Sequence, residues 1–224
     1  MGCEMEWNDW KHWYDQIVAN MGLDPSKDME SAILLRSLEA HRVGNINDLD
    51  RLIRGREAIV LGPAPFSDTE FGEAVVISAG TTTDRLAEMD IWPDIIVTDL
   101  DGNVPAQVEA NSKGAIAVIH AHGDNMDAIR EWVPRFSPPI IGTTQNEPIE
   151  DVYNFGGFTD GDRSVFMAAH FGATRIILRG FDFDNPTGKP ILNMALKKKK
   201  LAYAKQLIEY LAKSSGIEII QSTE

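Results

Sequence analysis

The chain has 224 residues, of which 43% are hydrophobic and 25% are charged, and this composition excludes collagen-like, low-complexity and wholly disordered classes. Its length predicts one large α/β unit, or such a core with an appendage, rather than two full-sized domains. The formal net charge of −13 is a poor electrostatic match for a phosphate backbone, so we expect no nucleic-acid partner.

The first residues and the hydropathy predict a cytoplasmic protein without a membrane partner. Cys3, the single cysteine, cannot form an internal disulfide bond. The residues after Met1 lack the basic segment and apolar stretch of a secretory signal peptide. No apolar run reaches the roughly 18 residues that a membrane span needs. We therefore expect a soluble protein that stays in the cytoplasm.

Charge is distributed unevenly along the chain. Residues 57–162 carry 19 acidic and 4 basic side chains, whereas residues 163–224 carry 5 acidic and 10 basic ones. A surface whose charge served solubility alone would not separate the two signs in this way. The separation indicates an organised site in the acidic stretch.

Residues 1–56 predict an N-terminal helical subdomain. Apolar side chains recur there at three- and four-residue spacing, as on one face of a helix: Trp7, Trp10, Trp13, Tyr14, Ile17 and Val18. A second helix is expected to end near Val43, and Asn47 or Asp48 is expected to cap a third, short one. The tryptophan-rich face fits either a ligand or partner surface or packing against the main domain, and we favour packing.

Residues 57–224 predict a doubly wound, mostly parallel, Rossmann-like α/β domain. Seven apolar runs bounded by turn residues predict buried strands at residues 58–62, 74–78, 94–98, 115–119, 139–142, 175–179 and 217–220. Helix-like stretches alternate with most of them, at residues 82–88, 104–112, 125–132, 163–171 and 194–214. This alternation is typical of a parallel sheet with helices on both faces. Ligands of such sheets bind beyond the carboxyl ends of the strands, so the loops there form the candidate site.

Small residues end the first two predicted strands. Gly62 and Pro63 follow the first, and Gly80 and Thr81 follow the second. Glycine lets the backbone approach a phosphate, and a helix starting after Thr81 offers backbone N–H groups to an anion. Each feature has an equally good structural alternative, a tight turn at Gly62 and a helix cap at Thr81.

Two aspartates, Asp99 and Asp101, follow the third predicted strand. In an extended stretch they would point the same way and present two hard oxygen ligands on one face. Such a pair suits Mg²⁺, which accepts one or two carboxylates together with waters and substrate phosphates. A solvated turn is the alternative, and we favour the metal.

The fourth predicted strand ends in His120 and His122, followed by Asp124. Two alternating histidines suggest zinc, but a third and fourth ligand at a known spacing are missing from the sequence. Hydrogen bonding to a phosphate or to a nucleophile is the functional interpretation that we favour for His122 and Asp124. For Asp124 the alternative is a cap on the next helix. For His120 a functional role and a purely structural role are equally favoured.

Polar and aromatic side chains of later loops complete the candidate site. Amide and hydroxyl groups recognise donors and acceptors on a heterocycle, and a glycine-rich loop with interleaved aromatics suits a planar ligand. This group comprises Thr143, Thr144, Gln145, Asn154, Phe158, Asp160, Asp162 and Asp182. A run of lysines, residues 197–200, fits either a solvated helix face or contact of Lys197 or Lys200 with phosphate groups.

Six motifs carry a resemblance to a known family, at residues 61–63, 97–102, 120–125, 142–145, 154–163 and 180–183. In this order they resemble the archaeal 6-hydroxymethyl-7,8-dihydropterin diphosphokinase family, whose core is similar to thiamine diphosphokinase and to motility-accessory-factor glycosyltransferase-like proteins. The resemblance spans about residues 57–210. At Ala79 the family often has aspartate, so one expected carboxylate is missing here.

The resemblance implies Mg²⁺-dependent transfer of diphosphate from ATP to a reduced hydroxymethylpterin, giving AMP, on the path to tetrahydromethanopterin or a folate-like carrier. It implies metal binding by Asp99 and Asp101 and catalytic roles for these two residues, His122 and Asp124. It implies nucleotide contacts for Gly62, Pro63, Gly80, Thr81, Thr143, Thr144, Gln145, Arg163 and Lys197, with the pterin as the alternative partner of Thr143, Thr144 and Gln145. It implies pterin contacts for Asn154, Phe158, Asp160, Asp162 and Asp182, and completion of the metal shell is the alternative for Asp160 and Asp162.

Two alternatives stay open from the sequence. The same fold could act on thiamine or transfer a sugar from a nucleotide donor, or the chain could be a nucleotide-binding module without catalysis. The acidic stretch should repel free ATP, so under the leading interpretation the nucleotide arrives as its magnesium complex. A homo-oligomer is compatible with each interpretation.

Overall fold

The computed structural model describes residues 5–39, 44–186 and 194–222. Cys3 and Val43, which entered the sequence predictions, lie outside these ranges. The described residues form eight α-helices: α1 (Trp7–Met21), α2 (Pro25–Glu39), α3 (Ile46–Ile53), α4 (Thr82–Glu88), α5 (Val104–Ser112), α6 (Met126–Trp132), α7 (Asp160–His170) and α8 (Met194–Ser215). They also form eight strands: β1 (Glu57–Leu61), β2 (Val75–Ala79), β3 (Ile95–Thr98), β4 (Ile116–Ala121), β5 (Ile140–Thr144), β6 (Val152–Tyr153), β7 (Arg175–Arg179) and β8 (Glu218–Gln221).

All eight strands join one sheet, in the order β6-β5-β4-β3-β2-β1-β7-β8. Every neighbouring pair in the sheet is parallel. Strands β2, β4 and β5 are buried at every residue, as expected for parallel strands that are covered on both faces. The predicted Rossmann-like α/β fold is confirmed.

Helix α7 places its first turn at the carboxyl edge of the sheet. Strands β1 to β6 progress across one side of the sheet, and β7 then lies on the other side of β1. The intervening helix α7 crosses back over the sheet and contacts β1, β2 and β3. Because a helix in a parallel crossover runs opposite to the strands, the N-terminus of α7 lies near the loops that follow β2 and β3.

The N-terminal helices share the hydrophobic core of the sheet. Trp10, Tyr14 and Ile17 of α1 are 1%, 4% and 0% exposed and belong to the same cluster of buried side chains as Ile77 and Val97. Burial of one large side chain of this kind stabilises a fold by roughly 2–3 kcal/mol. Packing against the main domain is therefore confirmed for the aromatic face of α1.

Three details differ from the predicted elements or complete them. Strand β6 was not predicted, and it pairs through only two residues with Gly142 and Thr143 of β5. The third helix begins two residues early, because the Asn45 side chain accepts a hydrogen bond from the Asn47 amide at 3.0 Å and caps it. Over the described ranges, no helix has both the length and the apolar character needed to cross a membrane.

Candidate active site

The loop after β3 turns sharply. Leu100 has a φ of 64°, in the left-handed region, and its amide donates to Thr98 Oγ1 at 2.9 Å. Its side chain is only 5% exposed, so apolar packing stabilises this uncommon conformation. The expectation of an extended stretch is therefore wrong: Asp99 and Asp101 flank a turn, and the Asp101 amide donates to Asp99 Oδ1 at 3.3 Å.

The loop after β4 brings a histidine to this turn. His122 Nε2 lies 3.6 Å from Asp99 Oδ2. Its Nδ1 accepts from the Asp124 amide at 3.3 Å, which assigns the proton of a neutral ring to Nε2, facing Asp99. The Asp124 side chain itself is exposed. Asp99 and His122 are thus brought together, as the order of strand ends predicts.

Asn125, which sequence reasoning missed, joins the two loops. Its Nδ2 donates to the backbone oxygens of Asp99 at 2.9 Å and His120 at 2.7 Å. Its Oδ1 accepts from the His122 amide at 3.1 Å. One buried amide side chain therefore fixes the backbone at both candidate catalytic positions. A polar residue three positions after His122 was the available signal, but its partners could not be inferred from the sequence.

The contact with His122 and nearby positive charges favour the ionised form of Asp99. Burial acts to raise its pKa, but the adjacent His122 and the charges of Arg163 and Lys200 outweigh burial, so the pKa of Asp99 lies below its ordinary value. The carboxylate is 34% exposed and can be reached from solvent. Asp99 is therefore ionised at neutral pH.

A second carboxylate, Asp160, begins α7 beside Asp99. Burial and the charge of Asp99 raise the pKa of Asp160 well above its usual range, against the opposing charge of Arg163. Arg163 Nη1 donates to Asp160 Oδ1 at 2.8 Å, and its Nη2 donates to the Phe158 backbone oxygen at 3.0 Å. Arg163 is buried in these bonds, and its contact with the nucleotide stays a prediction.

Gly80 and Thr81 border the same carboxylates. Gly80 has a φ of 54°, and a Cβ built there would lie 2.8 Å from Asp160 Oδ2. A Cβ built on Gly102, next to Asp101, would lie 2.6 Å from the Thr81 side chain. The loops after β2 and β3 and the start of α7 therefore meet at one point of the sheet edge.

Asp162 caps helix α7 in this structure, and its contact with the pterin stays a prediction. The side chain is fully buried and accepts from the amides of Phe158 at 2.6 Å and Thr159 at 2.8 Å, as well as from the Thr159 hydroxyl. Thr159 and Asp162 form a capping box at the start of α7. The threonine three residues before an acid was a signal for this role.

Buried polar residues support the loop after β5. Thr143 Oγ1 lies 3.1 Å from His120 Nδ1, and the Gln145 amide donates to Asp28 at 2.8 Å. Burial, with the nearby charges of Arg163 and His122, lowers the pKa of His120 well below its usual range. Thr143, Gln145 and His120 are each 4% exposed or less, so they lie beneath the surface of the site, and the nucleotide contacts of Thr143 and Gln145 stay predictions.

Two further predicted residues stabilise neighbouring backbone. Thr144 Oγ1 accepts from the Asn146 amide at 3.2 Å. Asn154 Nδ2 donates to the Asn146 backbone oxygen at 2.8 Å, and its Oδ1 accepts from the Gly156 amide at 2.8 Å. These bonds order the loops after β5 and β6 at the edge of the site.

The loops after β1 and β7 pack against each other. The Gly62 amide donates to the Arg179 oxygen at 2.8 Å, and a Cβ on Gly62 would lie 2.5 Å from the Gly180 oxygen. Pro63 continues this loop and is exposed. Asp182 accepts from the amides of residues 184 and 185 at 3.0 Å and 2.9 Å, so it forms a turn of its own. These contacts account for Gly62 and Asp182 as turn residues.

Helix α8 brings a lysine over the site. Lys200 Nζ lies 5.7 Å from the centroid of the Phe158 ring. Burial raises the pKa of Asp99 and the contact with His122 lowers it, and the charge of Lys200 lowers it further. The Lys200 side chain is exposed, and Lys197 is half-buried on the same helix. Phe158 is 8% exposed and belongs to the main cluster of buried apolar side chains, and its contact with the pterin stays a prediction.

Comparison with known proteins identifies the family. A family model described as 6-hydroxymethylpterin diphosphokinase MptE-like matches residues 34–188. Three proteins named 6-hydroxymethyl-7,8-dihydropterin pyrophosphokinase are similar to the chain over nearly its full length. The protein of Methanothermobacter thermautotrophicus is 40% identical, over 96% of this chain and 99% of its own.

The other two relatives agree in name and coverage. The protein of Pyrococcus furiosus is 40% identical, over 97% of this chain and 99% of its own. The protein of Methanocaldococcus jannaschii is 36% identical, over 97% of this chain and all of its own. With a family model over more than half of its length and such relatives, this chain belongs to the 6-hydroxymethylpterin diphosphokinase MptE-like family.

Proposed function

We propose that this protein transfers diphosphate from ATP to 6-hydroxymethyl-7,8-dihydropterin and releases AMP, in the cytoplasm, during tetrahydromethanopterin or folate-type cofactor biosynthesis. The observation that carries the proposal is 36–40% identity, over almost the whole chain, to three relatives named for this pterin pyrophosphokinase. The cluster of Asp99, His122 and Asp160 at the carboxyl edge of the sheet supports it, because that edge is where such folds bind ligands.

The reaction joins the pterin oxygen to the β-phosphorus of ATP. A new O–P bond forms there, the bond from the β-phosphorus to the oxygen that bridges to the α-phosphorus breaks, and AMP leaves with that oxygen. The hydroxyl proton passes to solvent or to a phosphate oxygen. Negative charge grows on the leaving oxygen, so catalysis depends mainly on positioning and on positive charge near the phosphates.

The donor set at the edge fits Mg²⁺ bound together with phosphates. Asp99 and Asp160 are neighbouring carboxylates: burial, together with the charge of Asp99, raises the pKa of Asp160, and a divalent cation would relieve the repulsion between the two. Asp99 and Asp101 would hold the ion. When bound, Mg²⁺ supplies positive charge to the phosphate oxygens. Within the described ranges no three His, Cys, Asp or Glu side chains form a complete protein-only metal centre.

The chain's own residues divide the remaining work. His122 uses both ring nitrogens, on Asp99 and on the Asp124 amide, so in this arrangement it orients Asp99 rather than removing a proton. Lys200 extends an exposed ammonium group over the edge and is placed to meet phosphate oxygens. The backbone at Gly80 lies beside the Asp160 carboxylate, at the loop that leads into α4.

Product identification tests the proposal against its alternatives. The protein would be incubated with ATP, Mg²⁺ and one acceptor at a time: the reduced hydroxymethylpterin, thiamine, or none. We expect AMP and the pterin diphosphate in equal amounts with the pterin only. Equal turnover of thiamine would reassign the acceptor, and tight ATP binding without turnover of either acceptor would favour a nucleotide-binding module.

A further inference from the structure

The N-terminal helices reach the candidate site through one buried carboxylate, Asp28 of α2. Its side chain is 3% exposed and accepts three hydrogen bonds. Oδ1 accepts from the Gly123 amide at 2.8 Å, and Oδ2 accepts from the Tyr14 hydroxyl at 2.7 Å and from Gln145 Nε2 at 2.8 Å. Bonds of this kind to a buried carboxylate are stronger than those between neutral groups. One side chain thus binds α1 and the loops after β4 and β5.

Neighbouring contacts reinforce the same attachment. Trp10 Nε1 donates to the Gln145 backbone oxygen at 2.7 Å, and Asn146 Nδ2 donates to the Pro25 oxygen at 2.8 Å. A Cβ built on Gly123 would lie 2.6 Å from the Lys27 Cβ, so only glycine lets the loop after β4 approach α2 this closely. The loops after β4 and β5 therefore rest on α1 and α2.

The hydrogen bond from the Gly123 amide to Asp28 helps to fix the position of His122 relative to Asp99. Gly123 follows His122 in the chain, and the His122 ring reaches Asp99 at 3.6 Å from that position. A shift of the Gly123 backbone would rotate the His122 ring away from Asp99. Displacements of about 1 Å at a reacting centre can cost about a hundredfold in rate.

We propose that Asp28 is a positioning residue for diphosphate transfer: it anchors the loop after β4 to α2 and so aims His122 at Asp99. The effect on turnover rests on the proposed function, whereas the hydrogen bond between Gly123 and Asp28 is independent of it. Asp28 touches no reacting atom in this account and acts through Gly123 and His122.

Two substitutions test the hydrogen bonds of Asp28. Asp28→Asn keeps the shape of the side chain but replaces one acceptor oxygen with an NH₂ group, so the side chain can no longer accept from Gly123 on one side and from Tyr14 and Gln145 on the other. Tyr14→Phe removes one donor to the same carboxylate and leaves the bond to Gly123. Asp15→Asn makes the same chemical change on the exposed face of α1, where Asp15 pairs with Lys11. It serves as the matched control.

Steady-state kinetics and local amide hydrogen exchange test the proposal on the full chain. For Asp28→Asn we expect kcat to fall by about ten- to a hundredfold, with KM for ATP and pterin changed by less than about threefold. Exchange should accelerate in residues 120–126 while the amides of β1 and β2 keep their protection. Tyr14→Phe and Asp15→Asn should stay close to the parent in both measurements.

The other outcomes contradict either the role of Asp28 or the proposed function. If Asp28→Asn matches Asp15→Asn in kcat, or if exchange rises uniformly along the chain, Asp28 supports the fold only and the proposal is overturned. If Asp28→Asn does not fold, Asp28→Glu, which retains both oxygens but moves them, must show the same loss of kcat. A parent protein without any turnover contradicts the proposed function instead, and unchanged exchange in residues 120–126 would then still overturn the role of Asp28.

Discussion

The His122 imidazole lies 3.6 Å from the Asp99 carboxylate and joins the loops after β4 and β3 at the carboxyl edge of the sheet. The two residues are 23 positions apart in sequence and meet because their strands are parallel neighbours. The contact keeps Asp99 ionised: burial acts to raise the pKa of Asp99, but His122 and nearby charges lower it below its ordinary value. An ionised Asp99 is what the proposed binding of a magnesium–nucleotide complex requires.

Replacing His122 should move the acid side of the pH–rate profile. His122→Gln removes the group that does most to offset burial, so the pKa of Asp99 rises and Asp99 becomes protonated at a higher pH. We expect the acid limb of kcat to shift to higher pH and kcat at neutral pH to fall by about tenfold. The measurement is the pH dependence of kcat.

The matched control is His12→Gln, because His12 is an exposed histidine of α1 whose ring contacts Gln16. It should leave the profile unchanged. An acid limb at the same pH in His122→Gln and in the parent would show that His122 does not govern the ionisation of Asp99.

A matched pair of glycine substitutions tests the contact with Asp160. Gly80 and Gly72 have φ values of 54° and 56°, so alanine is strained to a similar extent, by about 1 kcal/mol, at both. A Cβ at Gly80 would meet Asp160 Oδ2 at 2.8 Å, whereas one at Gly72 would meet no atom within 4 Å. Gly80→Ala should therefore lower kcat by about tenfold or more, and Gly72→Ala should not.

Urea unfolding of both variants provides the stability comparison. We expect both to lose stability through backbone strain, with a further loss of about 1 kcal/mol at Gly80 from the displaced carboxylate. Equal kcat values for Gly80→Ala and Gly72→Ala would argue that Asp160 has no part in turnover.

The lysine run offers a test within one helix. Lys200 lies over the Phe158 ring and its charge helps to lower the pKa of Asp99, whereas Lys199 is its exposed neighbour on α8. Loss of one charge-assisted phosphate contact costs about 1.4 kcal/mol, or tenfold in affinity. Lys200→Met should raise KM for ATP by about tenfold, and Lys199→Met should leave it near the parent value. Equal KM values for the two variants would assign Lys200 to a solvated face.

Glu39 makes stability depend on pH. It is fully buried at the end of α2, and neither carboxylate oxygen has a hydrogen-bond partner in the part of the chain that the structure describes. Burial, with the charge of Asp151, raises the pKa of Glu39 from 4.5 to about 8. A raised pKa in the folded state favours the protonated form, so this contribution to stability is complete below about pH 4.5 and is lost as the pH rises through about 8.

The variant Glu39→Gln should remove this dependence. Relative to Glu39→Gln, the parent should lose free energy of unfolding between about pH 4.5 and pH 8, with a slope of at most about 1.4 kcal/mol per pH unit. Urea unfolding at several pH values measures the difference, and Glu147→Gln, at an exposed glutamate, is the control. A difference between parent and Glu39→Gln that stays constant with pH would contradict this account of Glu39.

Sequence patterns predicted the sheet because its strands are continuous apolar runs that end in turn residues. Strand β6 escaped because Val152 and Tyr153 are too few to show a period, and only their register with β5 defines them. The meeting of Asp99 and His122 was predictable, because adjacent parallel strands bring their carboxyl ends together.

The connections beneath these residues were not predictable. Leu100 adopts a positive φ that leucine rarely takes, and tertiary packing overrides that preference. Asn125 and Asp28 find their partners only after the loops and α2 have packed, so no local pattern marks them. Asp162 was assigned to the ligand because its acidic, glycine-rich surroundings concealed a helix cap.

The most direct test is acceptor-dependent release of AMP by the parent protein and by Asp99→Asn, each with ATP and the reduced hydroxymethylpterin, with and without Mg²⁺. Asp127→Asn, at an exposed aspartate paired with Arg130 on α6, controls for the change of charge. We predict AMP and pterin diphosphate in equal amounts from the parent and from Asp127→Asn with Mg²⁺, and a loss of at least about a hundredfold for Asp99→Asn. Folded parent protein that releases no AMP, or Asp99→Asn that matches Asp127→Asn, would contradict the account.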